Sequence, residues 1–189
     1  MSKHLLTILA LLLLAGCATR SIDRTRYPLP TEVMELKRWE LDGRIALKNG
    51  KEGFTAGLNW VETPESYLFE LTGPLGETRA RLNATPGLAT LELPNEPVLS
   101  SPNTELLLAD HFGWAVPVES LKFWVRGLPD ANSEQVQFDP EGRLQTFESR
   151  GWQVRYLEWQ QANGLTLPKR LEARNEQLQL KLSLHDWHF

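Results

Sequence analysis

The sequence predicts a mainly β domain: one curled antiparallel sheet of about ten or eleven strands, interrupted once by a short helical stretch. Three observations predict it. Apolar residues recur at every second position in run after run between Trp39 and Leu184. Turn dipeptides separate those runs at short intervals. Beyond the amino-terminal segment, helical spacing is confined to residues 101–128. A sheet of that many strands curls rather than lying flat, and a helical lid or plug is the natural cover for its apolar face.

The amino terminus reads as an address. Lys3 precedes a ten-residue apolar run, Leu5 to Leu14, too short to span a bilayer as a stable helix and followed by small residues. Leu14-Ala15-Gly16-Cys17 resembles a bacterial lipobox, in which the thiol takes diacylglycerol, the chain is cut before the cysteine and the new amino group is acylated. The alternative is a plain signal peptide with an incidental thiol, yet Cys17 is the chain's one cysteine. Position 18 is Ala, not the Asp that signals inner-membrane retention, so the expected location is the periplasmic face of the outer membrane. Residues 1–16 are thus expected to form a lipoprotein signal peptide. Residues 17–31 would be the lipidated Cys17 and a polar tether stiffened by Pro28 and Pro30, and residues 32–189 a single domain.

The strands follow in order. Trp39, Leu41, Ile45 and Leu47 alternate with polar residues, and Asn49-Gly50 marks a hairpin. Phe54, Ala56, Leu58 and Trp60 share one face of the returning strand. Tyr67, Phe69 and Leu71 continue the pattern, then Ala80, Leu82 and Ala84, then Ala89, Leu91 and Leu93. Ser101-Pro102 reads as an N-cap with Pro at the first helical position, and Leu106 to Phe112 follows before Gly113. A second helix opens at Pro117, with Val118, Leu121, Trp124, Val125 and Leu128 at helical spacing. Strands resume over 135–138, 143–149, 152–159, 165–173 and 177–184.

Composition narrows the chemistry. A chain of 189 residues with net charge −4 lacks the basic field of a nucleic-acid binder. One cysteine excludes an internal disulfide framework and a multi-thiolate metal site. No nucleophile elbow, P-loop or dinucleotide fingerprint occurs, and the carboxylates are unpatterned, so no catalytic, cofactor or metal residues are assigned. His185-Asp186-Trp187-His188 reads as a frayed polar terminus, since an offset of three on a regular strand puts the imidazoles on opposite faces. His111 reads as a helix-surface residue, favourable near a helix C-terminus. Seven Trp is a heavy load for this length.

One loop stands out. Thr72-Gly73-Pro74-Leu75-Gly76-Glu77 joins two strands, with Pro at the second turn position and Leu75 at the apex, where Asn, Asp, Ser or Gly is usual. An exposed Leu forgoes about 1.5–3 kcal/mol of burial. Leu75 therefore touches a membrane, folds back onto the rim of the sheet, or is one tolerated exposed apolar residue.

The chain resembles the LolB family of outer-membrane lipoproteins. The residues that carry the likeness are the lipobox ending at Cys17, Asp42-Gly43-Arg44-Ile45-Ala46, Leu71-Thr72-Gly73-Pro74-Leu75-Gly76 and Leu82-Asn83-Ala84-Thr85-Pro86-Gly87. Leu121-Lys122-Phe123-Trp124-Val125-Arg126-Gly127-Leu128-Pro129 and the closing Leu180-Lys181-Leu182 with Trp187 extend it over nearly the whole mature chain. The resemblance implies an incomplete, half-open barrel of about eleven strands with helices covering an apolar cavity. It implies a monomer that takes acylated lipoproteins from the periplasmic carrier LolA and inserts them into the outer membrane. Its own attachment to outer-membrane lipids would be through N-acyl diacylglyceryl Cys17, without nucleic acid or cofactor. The protruding membrane-insertion residue would be Leu75, although the loop carries Gly73 where Asn is expected before the Pro. Candidates to line the cavity are Trp39, Trp60, Phe69, Leu91, Phe112, Trp114 and Trp124. Two other readings remain: a structural or assembly lipoprotein whose apolar face is filled core, and a lipid-modifying hydrolase, for which no nucleophile is found.

Overall fold

This computed structural model describes residues 31–189. A short helix, α1 (Thr31–Glu35), leads into β1 (Trp39–Asn49), β2 (Glu52–Glu62), β3 (Tyr67–Thr72), β4 (Thr78–Thr85), β5 (Leu88–Glu92) and β6 (Leu99–Ser101). Two helices follow, α2 (Thr104–Phe112) and α3 (Val118–Trp124). The chain ends with β7 (Ser133–Phe138), β8 (Leu144–Ser149), β9 (Trp152–Ala162), β10 (Leu165–Arg174) and β11 (Leu178–His188). All eleven strands make one antiparallel sheet in the order β6-β5-β4-β3-β2-β1-β11-β10-β9-β8-β7. Its edges, β6 and β7, do not pair with each other, so the sheet is an unclosed barrel with two wings that meet where β1 pairs with β11.

Period-two alternation builds the inner face. Trp39, Leu41, Ile45 and Leu47 on β1 are buried, as are Ala56, Leu58 and Trp60 on β2 and Leu178, Leu180, Leu182 and Leu184 on β11. Facing side chains share this face because the register keeps parity, with Leu41 opposite Trp60 and Ile45 opposite Ala56. The aromatics at the sheet's inner face fall into two groups. Trp39 packs against Trp60 at 5.2 Å and Trp187 at 5.5 Å between ring centroids, and Trp60 meets Phe69 edge-on at 5.2 Å. On the other wing Trp124 packs against Phe147 at 6.0 Å and Trp152 at 6.3 Å, and Tyr156 against Trp159 at 5.1 Å. Six of the seven Trp thus belong to these two groups, and Trp114 lies beyond the end of α2.

One glycine sets the central seam. A Cβ at Gly43 would run into the carbonyl oxygen of Ser183 on β11, beside the irregularity where the β1–β11 register shifts between Asp42 and Gly43. Gly43→Ala is expected to destabilise the fold by about 2 kcal/mol, since backbone rather than a flexible side chain must give way. Urea unfolding checks this, and an unchanged midpoint would refute it.

The same irregularity corrects the reading of the C-terminus, which is not frayed: β11 pairs with β1 as far as His188 opposite Glu40. Gly43 faces Leu184 and Asp42 faces Asp186, so His185 is the extra residue of a bulge. Leu184 and Trp187 both point inward, while His185 and His188 are both exposed rather than divided between faces. Two further boundaries differ from expectation. Ser101 ends a short strand, β6, and α2 is capped by Asn103, whose side chain accepts from the Leu106 amide at 2.9 Å. Pro102 therefore precedes the cap instead of opening the helix. α1 begins at Thr31, the last residue assigned to the tether.

Candidate functional site: a helical lid and an exposed loop

The helices cross the mouth between the wings, and each is tied to both. On the β7–β9 side the ties to α3 are buried. Tyr156 donates its hydroxyl to the Trp124 carbonyl at 2.9 Å. Asp130, 5% exposed, accepts from Trp124 Nε1 at 3.0 Å, from the Ser149 hydroxyl at 2.8 Å and from the Asn132 amide at 2.8 Å. Burial pushes the Asp130 carboxyl up, but the hydrogen bonds from Ser149, Ser120, Asn132 and Trp124 outweigh it and hold the group below the usual carboxylate range. Deep burial of Tyr156 pushes its hydroxyl far above its ordinary value, so it stays a neutral donor.

On the β1–β5 side the tie to α3 is an ion pair. Lys122 of α3 pairs with Glu62 on β2 at 3.1 Å and lies 4.3 Å from the Tyr67 ring centroid. Arg126 donates to the Leu36 carbonyl at 3.0 Å. Burial raises the Glu62 carboxyl above its usual range despite Lys122. The Tyr67 and Thr104 hydroxyls join at 2.6 Å, linking β3 to α2. Arg150, in the β8–β9 turn, clasps Glu105 of α2 with two contacts of 2.6 and 2.7 Å. None of these ties was singled out in the sequence. Apart from the local Trp124 and Asn132 bonds to Asp130, each joins residues far apart in the chain, and none belongs to a spaced motif.

Glu62, Tyr67, Thr104, Glu105, Lys122 and Arg150 help line a cleft of about 490 Å³ at the lid's margin. The seven cavity candidates are not among its lining residues. Trp39, Trp60, Leu91 and Trp124 are buried in packed core, and Phe69 packs against it. Phe112 and Trp114 stack with centroids 5.1 Å apart and planes 18° from parallel, at the end of α2, where Phe112 is partly exposed. His111 lies in the last turn of α2, 3.8 Å from the Glu96 carboxylate.

The loop between β3 and β4 is the other notable feature. Leu75 is 96% exposed, so it does not fold back on the sheet. The turn beneath it is braced: the Gly73 amide donates to the Glu77 carbonyl at 2.8 Å, and the Gly76 amide to the Gly73 carbonyl at 3.0 Å. Glu77 accepts from the Leu75 amide and from Arg79, both at 3.1 Å. Hydrogen bonds from its own backbone amide, Arg79 and Leu75 hold the Glu77 carboxyl below its usual range. A Cβ at Gly73 would meet the ends of the Glu77 and Arg79 side chains, which would have to move aside for the Asn expected there. The loop leaves β3 at the end opposite the cleft, since the cleft is lined by residues 62–67 and 84–89.

Among the described residues no helix is long and apolar enough to cross a membrane, and no three His, Cys, Asp or Glu are grouped to hold a metal. Cys17, the expected signal peptide and the expected tether up to Pro30 lie outside the described residues.

An unclosed antiparallel barrel of this kind defines a fold class. The chain resembles a LolA superfamily protein from Nitrosomonas europaea, with a TM-score of 0.50 at 9% identity over 81% of this chain and 86% of that one. It also resembles a DUF1329 family protein from Desulfovibrio piger, with a TM-score of 0.54 at 8% identity over 84% and 88%. These likenesses establish the fold. The family described as "Outer membrane lipoprotein LolB" matches residues 37–187. Curated relatives named outer-membrane lipoprotein LolB include one from Pseudomonas savastanoi pv. phaseolicola, 32% identical, and one from Pseudomonas putida, 33% identical. Each alignment spans 98% of this chain and 95% of the relative. The chain belongs to the LolB family. It is a lipid-anchored outer-membrane protein of lipoprotein localisation, in a family not known for enzymes.

Proposed function

We propose that this chain accepts acylated lipoproteins from the periplasmic carrier LolA, shields their acyl chains beneath α2 and α3, and inserts them into the outer membrane through the Leu75 end. The observation that carries this reading is a fully exposed Leu on a braced loop, at the end of β3 opposite a charged lid margin.

The energetics require a shielded route. Cargo with about three acyl chains of roughly sixteen carbons buries on the order of fifty methylenes, worth roughly 40 kcal/mol at about 0.8 kcal/mol each. The cleft beside Lys122 and Glu62 is the favoured point of entry. The groups tied there line the open cleft and are reached from it directly, whereas Asp130 and Tyr156 are not among its lining residues. α3 then stays seated on the β7–β9 wing while the β1–β5 side parts, and acyl chains displace apolar side chains such as Trp39, Trp60, Phe69, Leu91, Phe112, Trp114 and Trp124. No catalysis is needed, because differential affinity from carrier to receptor to bilayer moves the cargo.

The anchor fits this orientation. Residues 1–16 are removed, Cys17 carries the lipid, and the tether through residue 31 enters the domain of residues 32–189, where the chain passes through α1 to reach the sheet at Trp39. Trp39 pairs with Glu62, and Glu62 with Tyr67, so that point lies at the far end of the sheet from Leu75. β1 has 11 residues, about 35 Å of strand. Extended, residues 18–30 reach roughly 40 Å, enough to let the opposite end touch the membrane.

The test mixes the chain from residue 17, carrying Cys17→Ala, with LolA loaded with an acylated lipoprotein. Cargo is expected to co-purify with the chain only when acylated. A folded chain that takes no cargo would remove the carrier reading and leave an assembly lipoprotein with a filled core.

A further inference from the structure

We infer that the outer face of the β1–β2 hairpin is a binding surface for anionic phospholipid headgroups. It rests on the reading that the Leu75 end faces the bilayer, and it adds a second contact there with different chemistry.

The register places two rows of outward residues across three strands. Thr55, Ala46 and Lys181 form one row, and Gly53, Lys48 and Gln179 form the next. Small side chains at Ala46, Gly53 and Thr55 leave a depression of about 480 Å³, with Lys48, Lys51 and Lys181 around it. Lys181 is paired with Glu172 at 2.9 Å. Among the described residues Lys48 and Lys51 have no ion-pair partner, and both are exposed. The acid at the rim is Glu52. Two uncompensated ammonium groups beside a small-residue hollow suit a phosphodiester, which presents a compact negative charge.

Position decides the source of that phosphate. β2 pairs with β3 only from Gly57, opposite Thr72, so residues 52–56 run on past the end of β3 on the side where the Leu75 loop leaves the sheet. Phe54, 37% exposed, is at the lip. An exposed Leu, a half-exposed Phe and free lysines at one end match a membrane surface, with apolar groups for the acyl boundary and ammonium groups for the headgroups.

The test is sedimentation of the Cys17→Ala chain from residue 17, which retains every strand and helix described, with phosphatidylethanolamine vesicles with or without phosphatidylglycerol. The wild-type surface is expected to bind the anionic vesicles more tightly, and raised salt to remove the difference. Lys48→Gln with Lys51→Gln is expected to cut anionic binding on the order of 20-fold, about five-fold per lysine, while sparing neutral vesicles. Equal anionic enhancement in the double variant, or none in the wild type, overturns the headgroup surface. Leu75→Glu weakens both kinds of binding if that end faces the bilayer. Unchanged binding by Leu75→Glu, with the lysine effect intact, would overturn the orientation reading alone.

Discussion

Leu75→Glu is expected to abolish insertion of cargo into membranes while leaving both the fold and the acceptance of cargo intact. With its side chain 96% exposed, Leu75 contributes almost no burial to the folded state, so the thermal midpoint should not move. Its function is gained only where the loop enters the acyl boundary, where burying a Leu side chain contributes about 1.5–3 kcal/mol. That corresponds to at least ten-fold in the membrane-bound population, and a carboxylate in its place adds a desolvation penalty. The brace from Glu77 and Arg79 matters because a loop already held in shape spends little entropy on contact. The measurement separates two steps: cargo taken from LolA by the chain, and cargo transferred from the chain to vesicles. Leu75→Phe should preserve both. Insertion at the wild-type rate by Leu75→Glu would remove Leu75 from the mechanism.

Asp130→Asn is expected to destabilise the domain by about 3 kcal/mol and to loosen α3 from the β7–β9 wing. The carboxylate gathers donors from Trp124, Ser149, Asn132 and Ser133, and an amide presents its own N–H groups to some of them. The pH dependence follows from the lowered carboxyl. A group with a folded pKa below its unfolded value stabilises the fold fully above the unfolded value, near 4 for Asp. That contribution is lost as the pH falls through the lower, folded value. Wild-type stability should therefore decline below about pH 4, and Asp130→Asn should flatten that decline. Urea unfolding at neutral and acid pH reads both effects. A variant with the wild-type midpoint and the same acid limb would mean that the Asp130 hydrogen bonds do not hold the helix.

Much of the fold was legible because its signals are local. Alternation in β1 to β5 and β8 to β11 reports one buried face, and Asn49-Gly50, Glu141-Gly142 and Asn163-Gly164 fall in turns between strands, each with its Gly at positive φ. The errors arose where parity breaks or an element is too short to have a period. The bulge at His185 put two residues on the outside in succession, and β6, with 3 residues, offered no alternation to read. Leu75 was conspicuous because an apolar residue sat where turn chemistry favours a polar one. Whether it would fold back was not legible, since that depends on what lies beside the loop in space.

The sequence by itself determined the strand faces, the helical insert, the exposed-Leu turn and, through resemblance, the LolB family. The half-open barrel was expected through the same resemblance, but tertiary structure alone decided which residues tie α2 and α3 across its mouth, and that Asp130 holds α3 to one wing. It also brought Lys48, Lys51 and Lys181 around one hollow. The physical reason is separation along the chain. Periodicity and turn propensity act within a few residues, whereas Arg150 and Glu105, or Lys122 and Glu62, meet only after the whole sheet has curled.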